Sequence, residues 1–354
     1  MNRAALHKSL RKEEPLVSII VLNFNGRSVL CECLKSVFKT NYSNFEVIVV
    51  DNGSTDGSCA MINKGFLNVQ VIKNQENFGY SKGNNIGILG SKGEFIVLLN
   101  NDTIVHPSWL SKLLIGAKLN PECFYQPKIL FAESKIINSA GNLIQLFGFA
   151  FPRGIGEPDT GQYDKKCEIS YASGACVLAS KRLIKKIGLL DEGFFTFYED
   201  VNWGWRALML GHKSIYVPSA VIYHRWGSSW GNIMSSKKFF FVERSRLATV
   251  FRNYSLCTLV NAFPLLLFIE LLVLLYSLMN GFASEKIRSY SDILKNRKII
   301  LGQRIELQKK RKIPDSIVLK SFSHELDHPY LGRFAKVASR LLRFLSRIAK
   351  PLVK

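Results

Sequence analysis

Across the first third of the chain, short apolar runs alternate with stretches whose apolar residues recur every three or four positions. Leu16–Asn23 reads as a strand buried on both faces, and Arg27–Lys39 follows with Val29, Leu30, Leu34, Val37 and Phe38 on one helical face. The unit repeats. Strands at Phe45–Asp51, Val69–Lys73 and Glu94–Asn100 alternate with helices at Gly57–Lys64, Ser81–Gly90 and Pro107–Lys118. Four strands separated by helices predict an α/β fold with a parallel sheet, because parallel neighbours need helical crossovers. Ligands of such sheets bind beyond the carboxyl ends of the strands. Polar residues collect at those ends: Asn23-Phe24-Asn25-Gly26, Asp51 through Gly57, and Asn100-Asn101-Asp102-Thr103.

From 123 to about 235 the pattern is less regular, with a Gly/Pro-rich stretch at Pro152–Gly161 and several aromatic clusters. Leu256–Met279 is then nearly all apolar, with Glu270 its only charge. As a helix it reaches roughly 36 Å at 1.5 Å per residue, enough to cross a bilayer. A buried core helix is the other reading. Pro264 and Asn261 weaken a simple span, and a central Glu270 costs a few kcal/mol in hydrocarbon. A single crossing also sets the basic tail on the opposite side from the α/β part, against the positive-inside tendency. The expectation is a segment that dips into the membrane or packs along it, with both flanks on the cytoplasmic face.

The charge pattern sharpens this picture. The net charge is +21, and residues 281–354 hold 18 Lys/Arg against 6 Asp/Glu. An anionic partner is implied. An anionic membrane surface fits better than nucleic acid, because the tail is poor in aromatic residues and carries no readout motif. Within it, Leu331–Lys350 spaces Arg333, Lys336, Arg340, Arg343, Arg347 and Lys350 by three and four, with Phe334, Val337, Ala338, Leu341, Leu345 and Ile348 between them. That pattern predicts a helix lying in a bilayer interface, or one docked on the rest of the protein. The seven cysteines form no CxxC pair or zinc-like spacing, which fits a reduced compartment, and no apolar run precedes Leu16, so no secretory signal is expected.

Four strand-end or aromatic-flanked groups carry chemistry. Asp51 follows Val47-Ile48-Val49-Val50 and is either an acceptor for a nucleobase or a turn residue. Asp102 is either a hard oxygen ligand for Mg²⁺ or Mn²⁺ or a helix cap. Tyr198-Glu199-Asp200 lies among Phe194, Phe195, Phe197, Trp203 and Trp205, a setting that desolvates a carboxylate and suits a general base; a helix N-terminus is the alternative. His224 ends the strand Ser219–Tyr223 and is a metal ligand or a structural histidine.

Five motifs in order resemble the family-2 glycosyltransferases of GT-A fold, and within them the rhamnosyltransferase-like and galactofuranosyltransferase-like members. They are Val17 through Asn25, Val49-Val50-Asp51-Asn52-Gly53-Ser54-Thr55-Asp56-Gly57, Asn77-Phe78-Gly79 with Gly83 through Gly87, Leu98 through Asp102, and Phe197 through Trp203. The resemblance covers roughly residues 16–230. It implies that Phe24 packs on the base, Asp51 bonds to it, Asp102 and His224 hold a divalent cation (Mg²⁺ or Mn²⁺), and Asp200, with Glu199 beside it, is the catalytic base. Leu22, Asn25, Gly53, Ser54, Asn77, Gly79, Asn84, Asn85, Asn100 and Asn101 are expected to bind the nucleotide-sugar, and Tyr198 and Trp203 the acceptor. Many relatives carry acids where this chain has Asn100 and Asn101, so the cation is expected to enter with the donor.

The expected organisation is a leader (1–15), a nucleotide-sugar-binding half (16–122), an acceptor-side half (123–254), an apolar membrane-associated segment (255–280) and a basic amphipathic helical tail (281–354). The expected activity is inverting transfer of a sugar, rhamnose from dTDP-rhamnose as first guess, to a hydroxyl of a membrane-bound glycan or lipid-linked acceptor on the cytoplasmic face. A polyprenyl-phosphate glycosyltransferase is the close rival. A non-catalytic membrane-bound nucleotide-sugar-binding protein is the distant one. Nothing in the sequence sets the oligomeric state.

Overall fold

The computed structural model describes residues 14–225, 234–325, 335–349, 351 and 353, with the side chains of 335–338 left out. Elements follow in chain order as β1 (Val17–Asn23), α1 (Arg27–Val37), β2 (Phe45–Asp51), α2 (Ser58–Gly65), β3 (Val69–Lys73), α3 (Gly79–Gly90), β4 (Phe95–Asn100), β5 (Thr103–Val105) and α4 (Trp109–Leu119). The second stretch gives β6 (Cys123–Phe131), β7 (Ile137–Ser139), β8 (Asn142–Ile144), β9 (Ala150–Pro152), β10 (Cys167–Ile169), β11 (Cys176–Ser180), α5 (Lys181–Ile187), α6 (Glu199–Met209) and β12 (Lys213–His224). Helices then dominate: α7 (Ser236–Asn253), α8 (Leu256–Met279), α9 (Ala283–Lys295), α10 (Arg297–Lys310), α11 (Asp315–Val318) and α12 (Ala335–Ala349).

One ten-stranded mixed sheet runs β10-β12-β6-β11-β4-β1-β2-β3, with β5 and β7 attached to β12 and β6. The neighbours β4, β1, β2 and β3 are mutually parallel, as the alternating pattern predicts. The irregular second stretch adds β11, antiparallel to β4, and β12, parallel to β6. The division expected at 122/123 therefore falls inside a single sheet. The order reverses around β1, whose neighbours are β2 and β4, and a ligand crevice belongs at that switch.

The strands are buried on both faces because alternate residues feed two cores. Ile19, Val21, Val47, Val49 and Leu99 pack with α1 and α4 on one side. Ile20, Ile48, Val50, Ile96 and Leu98 pack with α3, α5 and α6 on the other. Helix α3 lies close to the sheet because it presents glycines: a Cβ at Gly83 or Gly87 would stand 2.4 Å from Leu22 Cδ1 or 2.5 Å from Ile20 Cγ2.

The C-terminal helices have more core than the sequence suggests. Trp205 of α6 meets Tyr254 and Phe322 edge-on, both at 4.8 Å between centroids, inside a cluster that includes Ile269, Leu342, Leu345 and Ala349. Helix α12 thus docks through Leu342 and Leu345, and Gln145 Nε2 donates to Ser346 Oγ at 3.1 Å. Its face is not free to lie wholly in a bilayer, although Phe344 and Ile348 remain exposed. Arg333, Phe334 and Lys350 lie outside the described residues. Helix α8 continues through Pro264 and leaves most of its surface exposed.

Candidate active site

A crevice of about 790 Å³ opens beyond the ends of β1 and β4. Its floor is a polar lattice that the strand register assembles. Asn23 faces Asp51 across β1 and β2. The Asn23 amide donates to Asp51 Oδ1 at 3.0 Å and to Ser54 Oγ at 3.1 Å, and its Oδ1 accepts from Asn101 Nδ2 at 2.8 Å. Ser54 N–H takes the second Asp51 oxygen, 3.0 Å away. Asp51 is therefore wholly buried and holds this loop in shape, and does not line the crevice. Gly53, at φ 77°, makes the turn beside it. Asn25 closes the loop by accepting from Thr55 N–H at 2.8 Å.

A second set of amides joins β2 to α3. Asn52 donates to Gly79 O at 3.0 Å and to Asn77 Oδ1 at 3.2 Å. Asn77 Oδ1 also accepts from Gly79 N–H. Gly79 has φ 77° and would place a Cβ 2.4 Å from Phe195 O, so the approach of these two loops requires glycine. Asn84 and Asn85, expected at the ligand, are buried and turned away: Asn84 bonds to Tyr80 O, while Asn85 holds Leu190 and Glu192. Leu22, Phe24, Asn25, Asn77, Gly79, Asn100 and Asn101 do line the crevice, with Phe24 47% exposed at its mouth.

Residues 122 positions apart meet because β5 pairs with β12, setting His224 opposite Thr103. His224 Nε2 stands 3.2 Å from Asp102 Oδ1 without the alignment of a hydrogen bond, which leaves that buried oxygen with no partner. The other ring nitrogen, Nδ1, faces Asn138 Oδ1 at 3.3 Å. An acceptor there favours the Nδ1–H tautomer and leaves the Nε2 lone pair facing Asp102 and the Asn100 amide, whose Nδ2 stands 3.5 Å away, as a metal-ligating histidine requires. Mg²⁺ and Mn²⁺ sites commonly use one or two protein ligands and fill the rest with phosphate oxygens and water. Asp102 and His224 fit that role. No group of three or more His, Cys, Asp or Glu suited to a metal occurs among the described residues.

The acid pair enters on an unusual turn. Phe197 and Tyr198 have φ 64° and 70°, a left-handed conformation that costs non-glycine residues roughly 1–2 kcal/mol each. The turn starts α6 with Glu199 and Asp200 at its N-terminus, both facing the crevice. Asp200 accepts from Gly174 N–H at 2.9 Å and Val201 N–H at 2.8 Å, whereas Glu199 Oε2 is buried without a partner. Burial, then the Asp200 charge, pushes the Glu199 carboxyl well above its usual range. Burial also raises Asp200, but backbone N–H donors, Gly174 and Val201 foremost, oppose the rise. The Gly174 and Val201 N–H groups thus favour the ionised form of Asp200, whereas Glu199 Oε2 has no such donor.

Two expected acceptor residues are placed elsewhere. Trp203 is buried against Phe124 at 4.5 Å and donates to Gly188 O at 2.8 Å; Tyr198 is buried in the helical cluster. Neither lines the crevice. Ser173, Gly174, Phe195, Phe197, Lys237 and Lys238 line it as well. The sequence signal for the first two is the small-residue run before β11. The two lysines start α7 and have no local signal linking them to the site.

The chain carries a family-2 glycosyltransferase domain at residues 18–188, which match the glycosyl transferase family 2 model. It is 28% identical over 242 residues to the N-acetylglucosaminyl-diphospho-decaprenol L-rhamnosyltransferase of Mycobacterium tuberculosis, covering 61% of this chain and 78% of that protein. The chain spans about a third or less of the length of several other curated relatives. Among solved structures, GalNAc-T7 with UDP, GalNAc and Mn²⁺ superposes with TM-score 0.57 at 16% identity, covering 72% of this chain and 51% of that one. The mannosyltransferase PcManGT from Pyrobaculum calidifontis, with GDP-Man and Mn²⁺, gives 0.52 at 13%, covering 96% and 87%. These likenesses establish the GT-A fold.

Proposed function

We propose that the chain transfers a sugar from a nucleotide-diphospho-sugar to a hydroxyl of a membrane-bound glycan or lipid-linked acceptor at the cytoplasmic membrane face, inverting the anomeric centre. The observation that carries this reading is the presence of the Glu199–Asp200 pair and the Asp102–His224 pair on one crevice at the strand ends. Phe24 offers its ring to the base at the mouth, and the amides of Asn25, Asn77, Asn100 and Asn101 line the path inward. Asp200 takes the proton of the acceptor hydroxyl. The freed oxygen forms its bond to the anomeric carbon as the bond to the diphosphate oxygen breaks, and the electron pair leaves with the diphosphate. A divalent cation held by Asp102 and His224 would supply positive charge to that leaving group.

Inversion is favoured because burial and the neighbouring Asp200 charge disfavour the ionised form of Glu199, the other carboxyl beside Asp200, and make it a poor nucleophile. A polyprenyl-phosphate acceptor is already anionic and has little need of a base, so the base-like setting of Asp200 favours a hydroxyl. The likeness to the mycobacterial rhamnosyltransferase makes dTDP-rhamnose the first donor to test. A panel of nucleotide-diphospho-sugars incubated with the protein and Mg²⁺ or Mn²⁺, without acceptor, should single out one that is slowly hydrolysed. Failure of the protein to bind or hydrolyse any of them would overturn the reading.

A further inference from the structure

We infer that α8 is an in-plane membrane-docking helix, seated in the headgroup and acyl boundary of one anionic leaflet and leaving both of its ends on the side of the catalytic crevice. This deepens the proposed function by naming the surface at which a membrane-bound acceptor is met, and the docking itself does not depend on the chemistry of transfer.

Helix α8 is two-sided. Leu256, Val260, Phe263, Leu267, Leu271 and Leu278 are 49–68% exposed and follow one another by three, four or seven residues along a single stripe. Thr258, Ala262, Ile269 and Ser277 are buried on the side that meets the protein. Glu270 leaves the stripe at its flank and enters a cluster of buried charges. It pairs with Arg246 of α7, and with Lys286 of α9 at 2.7 Å, while Tyr290 donates to it at 2.9 Å. Glu243 bonds both cations, Arg246 at 2.8 Å and Lys286 at 2.6 Å. The cluster is neutral, and Lys286 is 0% and Arg246 2% exposed.

This cluster decides between crossing and lying flat. A crossing α8 would drag Glu270 to mid-depth, away from Arg246 and Lys286, leaving its charge unpaired and the two buried cations with Glu243 alone between them. Kept together, they tie α8 to helices on either side of it in sequence, so its two ends stay on one side. The apolar stripe remains outward.

The occupant is specified by charge. Helices α9 and α10 expose Ile287, Leu294, Ile299 and Ile305 alongside Lys295, Lys298, Lys309 and Lys310. Apolar residues interspersed with cations suit the interface of an anionic leaflet. A second copy of this +21 chain would bring like charges together. The position also serves the crevice: Phe239, next to Lys238 at its wall, stacks on Phe282 at 4.9 Å, just past the end of α8. The C-terminal end of α8 thus lies beside the Lys238 wall of the crevice.

The test uses the full chain, freed of detergent, and flotation on vesicles of phosphatidylcholine with or without 30% (about one lipid in three) phosphatidylglycerol. Wild type and Asp200→Asn should float equally with the anionic vesicles, and Leu267→Glu/Leu271→Glu should lose at least about tenfold in bound fraction. Cys257, and Asn280→Cys in a Cys257→Ser background, should both react with an impermeant maleimide added outside, read by peptide mapping. Protection of one end only would mean a span. Flotation of the double variant like wild type, no flotation of wild type, or a soluble wild-type dimer that the double variant dissociates would each overturn the inference. Because Asp200→Asn floats whether or not Asp200 is the base, failure of docking is separable from failure of the catalytic reading.

Discussion

Replacing Asp200 by Asn removes one negative charge at the centre of the proposed chemistry while keeping the side-chain shape. Removing a general base costs about 10²–10⁴ in rate, or roughly 2.7–5.5 kcal/mol of transition-state stabilisation. The fold responds through two opposed effects. Both Asp200 oxygens accept backbone N–H groups, from Gly174 and Val201. The amide of Asn keeps one acceptor and turns an NH₂ toward the other N–H, a mismatch worth about 1–3 kcal/mol. Against this, the variant no longer buries a charge. The Asp200 pKa is raised in the folded state by burial. Its proton thus stabilises the wild type at low pH, and that contribution is lost as pH rises from the ordinary carboxylate range through the folded pKa. Turnover should rise over the same window, since the base must be ionised. The Asn variant should lack that segment of the stability profile, bind donor within about twofold of wild type, and lose about 10²–10⁴ in kcat. Paired measurements of kcat and thermal midpoint against pH check this. Turnover within threefold (about 0.65 kcal/mol) of wild type would refute the assignment.

Three further outcomes follow from other parts of the molecule. Asp102→Ala and His224→Ala should each weaken the Mn²⁺ dependence of donor binding in titration calorimetry, Asp102→Ala more strongly because it removes the oxygen that has no hydrogen-bond partner. Lys286→Met leaves Glu243 and Glu270 sharing Arg246 alone and should destabilise the chain by about 3–5 kcal/mol in denaturant unfolding. Adding Glu270→Leu should recover much of that loss, since it restores charge balance in the cluster. Gly79→Ala should impair folding or donor binding, because φ 77° and the approach to Phe195 O leave no room for a methyl group, and circular dichroism with donor titration separates the two.

Local pattern alone fixed a good deal of this protein. Strands β1 to β4 and the helices between them are legible because burial on two faces and helical spacing are written in consecutive residues. The polar strand ends follow from chain order, and with them Phe24, Asn100, Asn101 and Asp102 as crevice residues, while the acid pair is marked by its aromatic flanks and by the family resemblance. What a side chain meets there is another matter. Asp51 sits at a strand end as expected, but whether its carboxylate faces a ligand or the Asn23 amide and Ser54 N–H depends on a neighbouring strand and its loop. Trp203 has the composition of an acceptor platform, yet its helical phase turns it into the core against Phe124. Pairing of β5 with β12 brings His224 to Asp102, and the start of α7 brings Lys237 and Lys238 to the crevice wall. Glu270 reads as a liability in an apolar helix until Arg246 and Lys286 arrive from two other helices. Periodicity reports that a residue is buried or exposed. Only the tertiary structure decides its partner, because the contacts that set a carboxylate's charge or a helix's orientation join segments far apart in the chain.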